Sequence, residues 1–356
     1  MMKRETIRTL AKSSVAIAAL MLPAAAFAQS GEQAATDNTE VLGGFEDIVV
    51  TATRQSQAIS KVPLSVSAFT QETLDSRGVR EFADVIRQTP GVVFEATNTT
   101  TNISIRGINS TAGAATTGVY IDDTPIQIRS LGYSGGNAYP VIFDLERVEV
   151  LRGPQGTLFG AGSQGGTIRF ISPQPSLTRT SGYVRAEAAL TENGGPSYEA
   201  GVAYGVPLVE DKLGVRVSGY YRRDGGFIDR VRFEDKGVVD DDANYQNSYV
   251  GRVAFTWSPV PELRITPSIA YQKIYTNDSP ETWDNVRADF TVPDAQFSDY
   301  DKGVFLNGNR VQESGRDRFY LPTLNVQYSF GGVDLTAIGS YFDRKQTFRS
   351  DYTTFD

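Results

Sequence analysis

The chain has 356 residues, with 34 Lys and Arg against 42 Asp and Glu, and neither His nor Cys. Those two absences exclude Ser-His-Asp and Cys-His catalysis, Cys/His zinc sites, haem or iron–sulfur ligation by these residues, and any disulfide framework. A formal charge of −8 makes a poor general binder of nucleic acid, and 36 Tyr and Phe with 34 Gly point to a β-rich protein.

Lys3, Arg4, Arg8 and Lys12 precede an apolar run from Val15 to Leu22, and small residues end at Ala26-Phe27-Ala28. This is the pattern of a secretory signal peptide cleaved after Ala28. The run is too short to span a bilayer as a helix, and no later segment reaches about 20 apolar residues. Residues 1–28 are therefore the export signal and 29–54 a flexible N-terminal segment. Gln29 to Phe45 is polar and unpatterned. Asp47-Ile48-Val49-Val50-Thr51-Ala52 is β-prone within that polar neighbourhood. It suits either a strand donated to a partner's sheet edge or the first strand of the next domain, and composition does not choose between them.

Residues 55–175 read as a mixed domain. Thr70 is placed to cap a short helix through Leu74, and Phe82, Val85 and Ile86 fall at helical spacing until Thr89-Pro90-Gly91 stops the run. Strands are expected at Gly91–Phe94, Ile103–Ile108, Gly118–Ile121 and Phe143–Leu151, with a turn at Asp122-Asp123. In the last of these strands Arg147 and Glu149 share one face, and Glu146, Val148, Val150 and Arg152 the other. Unpaired charges in a buried strand are costly, so an Arg/Glu cluster is expected there. Gly160-Ala161-Gly162-Ser163-Gln164-Gly165 matches G-x-G-x-x-G, but Gly166–Ile171 reads as a strand where a dinucleotide site needs a helix. No lysine is placed for a phosphate-binding loop.

These segments resemble a known family. Asp47–Ala52 resembles a TonB box. Ile105-Arg106-Gly107, Gly118–Asp122 and the run Leu145–Gly160, with Gly153, Gly156 and Gly160, resemble the plug domain of TonB-dependent outer-membrane receptors. The resemblance favours the partner-binding reading of Ile48–Ala52.

Residues 176–356 alternate strictly. Tyr198, Ala200, Val202, Tyr204, Val206 and Leu208 oppose Glu199, Gly201, Ala203 and Gly205. The same pattern recurs at 183–190, 213–222, 249–257, 263–272, 320–330 and 333–341, which makes seven strands. Their length suits a tilted bilayer crossing, Tyr, Phe and Trp sit at their ends, and short connections alternate with long ones at Asp224–Gln246 and Ile274–Asp317. The expected fold is thus an α+β plug followed by antiparallel transmembrane β-barrel strands, with the long loops facing outward. Plugged barrels have about 22 strands. Seven strands leave two open edges in lipid, so the chain is expected to be the front part of a longer receptor and not to insert or transport alone.

The resemblance implies uptake without catalysis or cofactor. A solute binds outer loops and plug, TonB adds Asp47–Ala52 to its own sheet, and its inner-membrane ExbB-ExbD motor supplies the pull. It also implies a plug-to-barrel locking role for Arg147, Glu149 and Arg152. Only Gln29–Phe45 precedes the box, so no transcriptional signalling domain is expected. Ferric siderophores are the family's default ligand; a carbohydrate, a vitamin or an aromatic compound stays open. Asp224–Gln246 holds seven acids against three bases and Ile274–Asp317 nine against four, which leaves divalent cations as a further partner for the loops. A surface β-protein without energised transport would have no use for the box. A secreted enzyme would need a carboxylate pair, and none stands out.

Overall fold

The computed structural model describes residues 48–96, 101–110, 113–128, 138–286, 295–296 and 298–352. The expected export signal at 1–28, the segment 29–46 and Asp47 lie outside the described residues. Among those described, no helix is long and apolar enough to cross a membrane.

The mixed domain opens with a two-residue strand, β1 (Val49–Val50), paired antiparallel to β2 (Gln57–Ala58). Strand β3 (Ser65–Thr70) runs into α1 (Gln71–Ser76), whose first turn is capped by Thr70 Oγ1 accepting from Thr73 N at 3.2 Å. A reciprocal capping box between Glu81 and Asp84 starts α2 (Phe82–Arg87) and turns Phe82, Val85 and Ile86 into the core. β4 (Val92–Ala96) and β5 (Thr101–Ile105) form a hairpin. The expected strand through Ile108 stops at Ile105, because Arg106 and Gly107 both take positive φ and turn the chain. A five-stranded sheet follows the order β3, β8 (Arg147–Arg152), β9 (Gly166–Ile171), β6 (Thr117–Ile121), β7 (Thr124–Pro125), with only β6 and β9 parallel. Strand β8 begins four residues later than expected, because Phe143 and Asp144 turn away to meet the long-stranded sheet. A short helix, α3 (Gly156–Phe159), lies in the Gly-rich connection, and a strand rather than a helix follows it. One face of the sheet buries Val148, Val150, Ile168 and Phe170 with the helices. The other buries Leu151 and Tyr120 with Val50, Ala52, Val62 and Phe159.

The second sheet has the order β10 (Ser181–Leu190), β11 (Pro196–Val209), β12 (Leu213–Asp224), β15 (Gln246–Val260), β16 (Leu263–Thr276), β20 (Gly315–Phe330), β21 (Val333–Ser340). All seven expected strands are present. An eighth segment, β22 (Asp343–Phe348), continues β21 along β20 in the same register. The ladder breaks between them at Pro322, which has no N–H to give; Tyr341 N still donates to Pro322 O at 3.1 Å.

This sheet is inside out. One face buries Arg185, Glu199, Arg216, Ser218, Arg252, Thr256 and Gln272, while Val184, Val202, Tyr204 and Trp257 are about half-exposed or more on the other. A soluble sheet buries its apolar face; an apolar outer face over a charged inner one requires hydrocarbon outside.

The two long loops carry structure that the sequence does not announce. β13 (Asp229–Val231) and β14 (Val238–Asp240) pair, β17 (Asn285–Val286) pairs with β18 (Ala295–Gln296), and β19 (Leu306–Asn307) joins β13 in parallel. Val231 and Leu306 pack with Phe233 and Trp283, and Arg230 meets the buried Asp278 at 2.9 Å. Among the described residues no group of three or more carboxylates is arranged to hold a metal ion.

Candidate functional site

Two polar clusters define the site. The first holds the N-terminal segment onto the mixed domain. Thr51 lies over β8 and β9, where its N–H donates to Glu149 Oε1 at 2.8 Å and its hydroxyl reaches the same oxygen at 3.2 Å. Arg169 Nη1 donates to Thr51 O at 2.9 Å, to Thr51 Oγ1 at 2.6 Å and to Glu149 Oε2 at 2.8 Å. Arg147 Nε donates to Glu149 Oε1 at 2.8 Å. Glu149 is fully buried. Burial alone would raise its pKa, but Arg169, the Thr51 N–H and Arg147 together hold it below the usual carboxylate value. The flanking Val50 and Ala52 are also fully buried, whereas Val49 is half-exposed. Arg54 pairs with Asp123 and lies 4.4 Å from the Phe159 ring centre, so the segment is fastened at both ends.

Residues 48–52 are thus a short segment seated on the mixed domain, whose strand Val49–Val50 pairs with β2 along one edge. The sequence anticipates the Arg147–Glu149 cluster but not Arg169. The available signal is a lone arginine inside an apolar strand, Gly166-Thr167-Ile168-Arg169-Phe170-Ile171, which needs a buried partner.

The described partners of Arg147, Glu149 and Arg152 all belong to the mixed domain: Glu146, Thr51, Arg169 and, for Arg152, the carbonyl of Pro90 at 2.9 Å. Strand β8 lies between β3 and β9; Arg147 and Glu149 share its charged face, which residues 50–52 cover, and Arg152 projects from the opposite face to Pro90. Arg106 begins the turn after β5 and Gly107 completes it; Gly153 follows β8, Gly156 opens α3 and Gly160 ends it.

The second cluster joins the mixed domain to the long-stranded sheet, and its members lie elsewhere in the chain. Buried Asp144 accepts from Arg216 Nε at 3.1 Å and from Nη2 of the same guanidinium, while Arg216 Nη1 donates to Ser181 Oγ at 2.9 Å. Tyr183 donates to Asp75 at 2.8 Å, and Arg185 lies 3.4 Å from the same carboxylate. Arg80 reaches Glu187 at 2.5 Å, and Arg185 pairs with Glu199 at 2.8 Å. Phe143 wedges between Tyr220, stacked at 4.6 Å, and Tyr183 at 5.3 Å. Gly201 makes room for it, since a Cβ there would overlap the Phe143 ring. On β16, Gln272 Nε2 donates to Tyr139 O and Gln272 Oε1 accepts from Val141 N, both at 2.9 Å. Phe319 and Leu321 of β20 join the domain's own core. A domain is therefore held against the charged face of an inside-out sheet by paired charges and an aromatic wedge.

That is the arrangement of a plug in a membrane barrel. Residues 58–167 match the TonB-dependent Receptor Plug Domain family. The chain is 34% identical over 208 residues to the iron-regulated outer membrane virulence protein of Vibrio cholerae, a match covering 56% of this chain and 29% of that protein. It is 32% identical over 201 residues to the ferripyoverdine receptor of Pseudomonas aeruginosa, covering 55% of this chain and 23% of the relative. The crystal structure of a Pseudomonas aeruginosa ferripyoverdine receptor bound to ferripyoverdine superposes with a TM-score of 0.66 at 22% identity, over 85% of this chain and 38% of that one. The ferric yersiniabactin uptake receptor of Yersinia pestis does so at 0.59 and 20%, over 80% and 41%. Residues 58–167 thus form a plug domain of the TonB-dependent receptor family, and the chain, which is similar to outer-membrane receptors, spans under a third of the length of the two relatives matched in sequence. Its long-stranded sheet corresponds to part of an outer-membrane barrel wall.

Proposed function

We propose that the complete protein imports a scarce solute across the outer membrane, a ferric siderophore first among candidates, with energy delivered by TonB. The observation that carries this reading is the seated segment 48–52, which contains the strand Val49–Val50 and is pinned by the Thr51–Glu149–Arg169 cluster on the plug. A strand paired along one edge offers its other edge for β-augmentation once that cluster opens. Asp47, Ile48, Val49, Val50, Thr51 and Ala52 are the TonB-binding residues in this reading. Arg147 and Glu149, with Arg169, lock that segment to the plug. Arg152 ties β8 to the end of α2, and Arg106, Gly107, Gly153, Gly156 and Gly160 shape the turns around it. Asp144 through Arg216, and Asp75 and Arg80 through Tyr183, Arg185 and Glu187 of β10, hold the plug while the segment is pulled.

The names of the relatives support iron as the cargo: one is iron-regulated and one is a ferripyoverdine receptor. A second solute class has support in a 29% identity over 245 residues to a vitamin B12 transporter of Photobacterium profundum. The test is uptake of radioactive iron, offered as a panel of ferric siderophores, by iron-starved cells making the full-length receptor. Uptake that needs both an active TonB and Ile48–Ala52 supports the reading. Equal uptake without either overturns it, and cobalamin uptake alone selects the second solute.

A further inference from the structure

The seat of the plug on the wall has two unlike halves. Every ion pair that joins them among the described residues falls on β10, β11 or β12: Asp75–Arg185, Arg80–Glu187, Arg80–Glu199 and Asp144–Arg216. On β15, buried Arg252 donates to Pro173 O at 2.9 Å. Beyond β15 the inner face changes character. Gln272 and Phe319 point onto the plug, so Ala270, Ser268 and Thr266 follow on the same face of β16, and Leu321, Thr323, Asn325 and Gln327 on that of β20. These positions carry hydroxyls, amides and aliphatic groups and no charge.

Plug and uncharged strip leave a gap between them. A cavity of about 30 Å³, room for a water molecule, lies between the turn at Asp122–Thr124 and the wall residues Thr266, Ser268, Thr323 and Asn325. Asn325 Oδ1 is buried there and has no hydrogen-bond partner among the described residues. The hydroxyls of the strip bond along the wall instead: Ser268 meets Thr323 at 2.6 Å, and Thr256 meets Thr266 at 3.3 Å. At the outer end of the strip, Phe319 and Leu321 pack into the plug core, and Gln272 makes its two bonds to the backbone at 139 and 141.

The two halves respond differently to a pull. Separating a buried ion pair strands both charges. Separating hydroxyls, amides and their neutral partners exposes groups that water satisfies at small net cost. The turn facing the uncharged strip is also tied to the latch, because Asp123 pairs with Arg54 and lies 3.2 Å from Arg169. A force that frees residues 48–54 therefore loads the side of the plug that faces β16 and β20, while the pairs on β10 to β12 hold the other side.

We propose that the imported solute passes along the strip formed by Thr266, Ser268, Thr323 and Asn325, as the Asp122–Thr124 side of the plug moves off the wall and the charged side stays seated. The inference rests on the import reading and names the route of that import. The lining hydroxyls and the unpaired amide oxygen offer a passing solute exchangeable hydrogen bonds, with no fixed charge to trap it.

The test is thiol accessibility in iron-starved cells making a full-length receptor with a single cysteine. Asn325→Cys and Thr323→Cys mark the strip, and Ser218→Cys, buried on β12 on the face of Arg216 and Tyr220, marks the charged half. Cells receive the panel of ferric siderophores with and without an active TonB, and reaction with a small charged methanethiosulfonate is timed while radioactive iron uptake is followed. Labelling tracks the fraction of time a position is open, so the two strip cysteines should react about tenfold faster with active TonB, and Ser218→Cys at an unchanged rate. Equal acceleration at position 218 means that the plug leaves the wall as a whole, and overturns the proposal. Unchanged labelling at 323 and 325 while iron enters the same cells overturns it as well, and leaves the import reading standing. Failure of the natural receptor to take up any of the chelates overturns the import reading, and the route with it.

Discussion

Replacing Glu149 by Gln tests how residues 48–52 are held. The substitution keeps the shape of the side chain and removes only its charge. The Thr51 N–H bond to a carboxylate contributes about 1.5–3 kcal/mol, and to a neutral amide about 1 kcal/mol. The segment therefore loses about 1.5 kcal/mol, a tenfold rise in its opening, before any rearrangement of Arg147 and Arg169 around the missing anion is counted. These 356 residues have no cysteine, so an Ala52→Cys reporter, placed at a fully buried position, is the only thiol among them. Maleimide labelling of this reporter in the full-length receptor should be about ten times faster with Glu149→Gln. Labelling of an Ala243→Cys control, buried in the first long loop, should not change. Unchanged labelling at position 52, or equal acceleration at both positions, refutes the latch. Acid gives the same test without a variant. The pKa of Glu149 is lowered on folding from about 4.5, so its stabilisation is fully present above that value and is lost as pH falls through the lower folded value. Hydrogen exchange at the Thr51 amide, corrected for its intrinsic rate, should show constant protection from pH 5 to 8 and lose it only in stronger acid.

Three further substitutions probe the wall and the plug seat. Val202→Arg, at a half-exposed position midway along β11, should cost about 2–4 kcal/mol of barrel stability in urea titrations in lipid; a change within about 0.5 kcal/mol indicates water outside the sheet. Asp144→Asn keeps a residue suited to the positive φ of that turn but leaves the Arg216 guanidinium buried without its anion, a loss of about 3–5 kcal/mol in plug seating, measurable as increased permeability of cells to large antibiotics. Gly201→Val should displace the Phe143 ring and raise the same permeability while the barrel still assembles, as judged by its heat-modifiable migration on gels.

The wall was legible because a lipid-facing strand must alternate over its whole length, so Tyr198 to Leu208 declares itself by parity alone. Its polar partners were legible as a face but not as contacts, since a match such as Asp144 to Arg216 joins residues 72 apart in sequence. Phe143 and Asp144 also continue the apolar and charged pattern of β8, and only the wall strands that capture them show why the strand starts at Arg147. The cluster under Thr51 was half legible: charges in a buried strand forced a pairing for Arg147 and Glu149, but Arg169 sits on a separate strand that looked merely apolar. The loop sheet was not legible, because strands of two or three residues carry no period and are fixed by packing of Val231, Leu306, Phe233 and Trp283.

The account turns on residues 48–52 being the strand that TonB takes. The most direct measurement is disulfide capture in cells between the full-length receptor carrying a single cysteine at Val50 and a TonB carrying a cysteine on its exposed sheet edge, with and without a ferric siderophore that the cells import. Val50 is fully buried in the seated segment, so capture requires its release. The expected result is a cross-linked product that rises with the siderophore and appears without it in Glu149→Gln. No product under either condition, with radioactive iron still entering the same cells, would contradict the account.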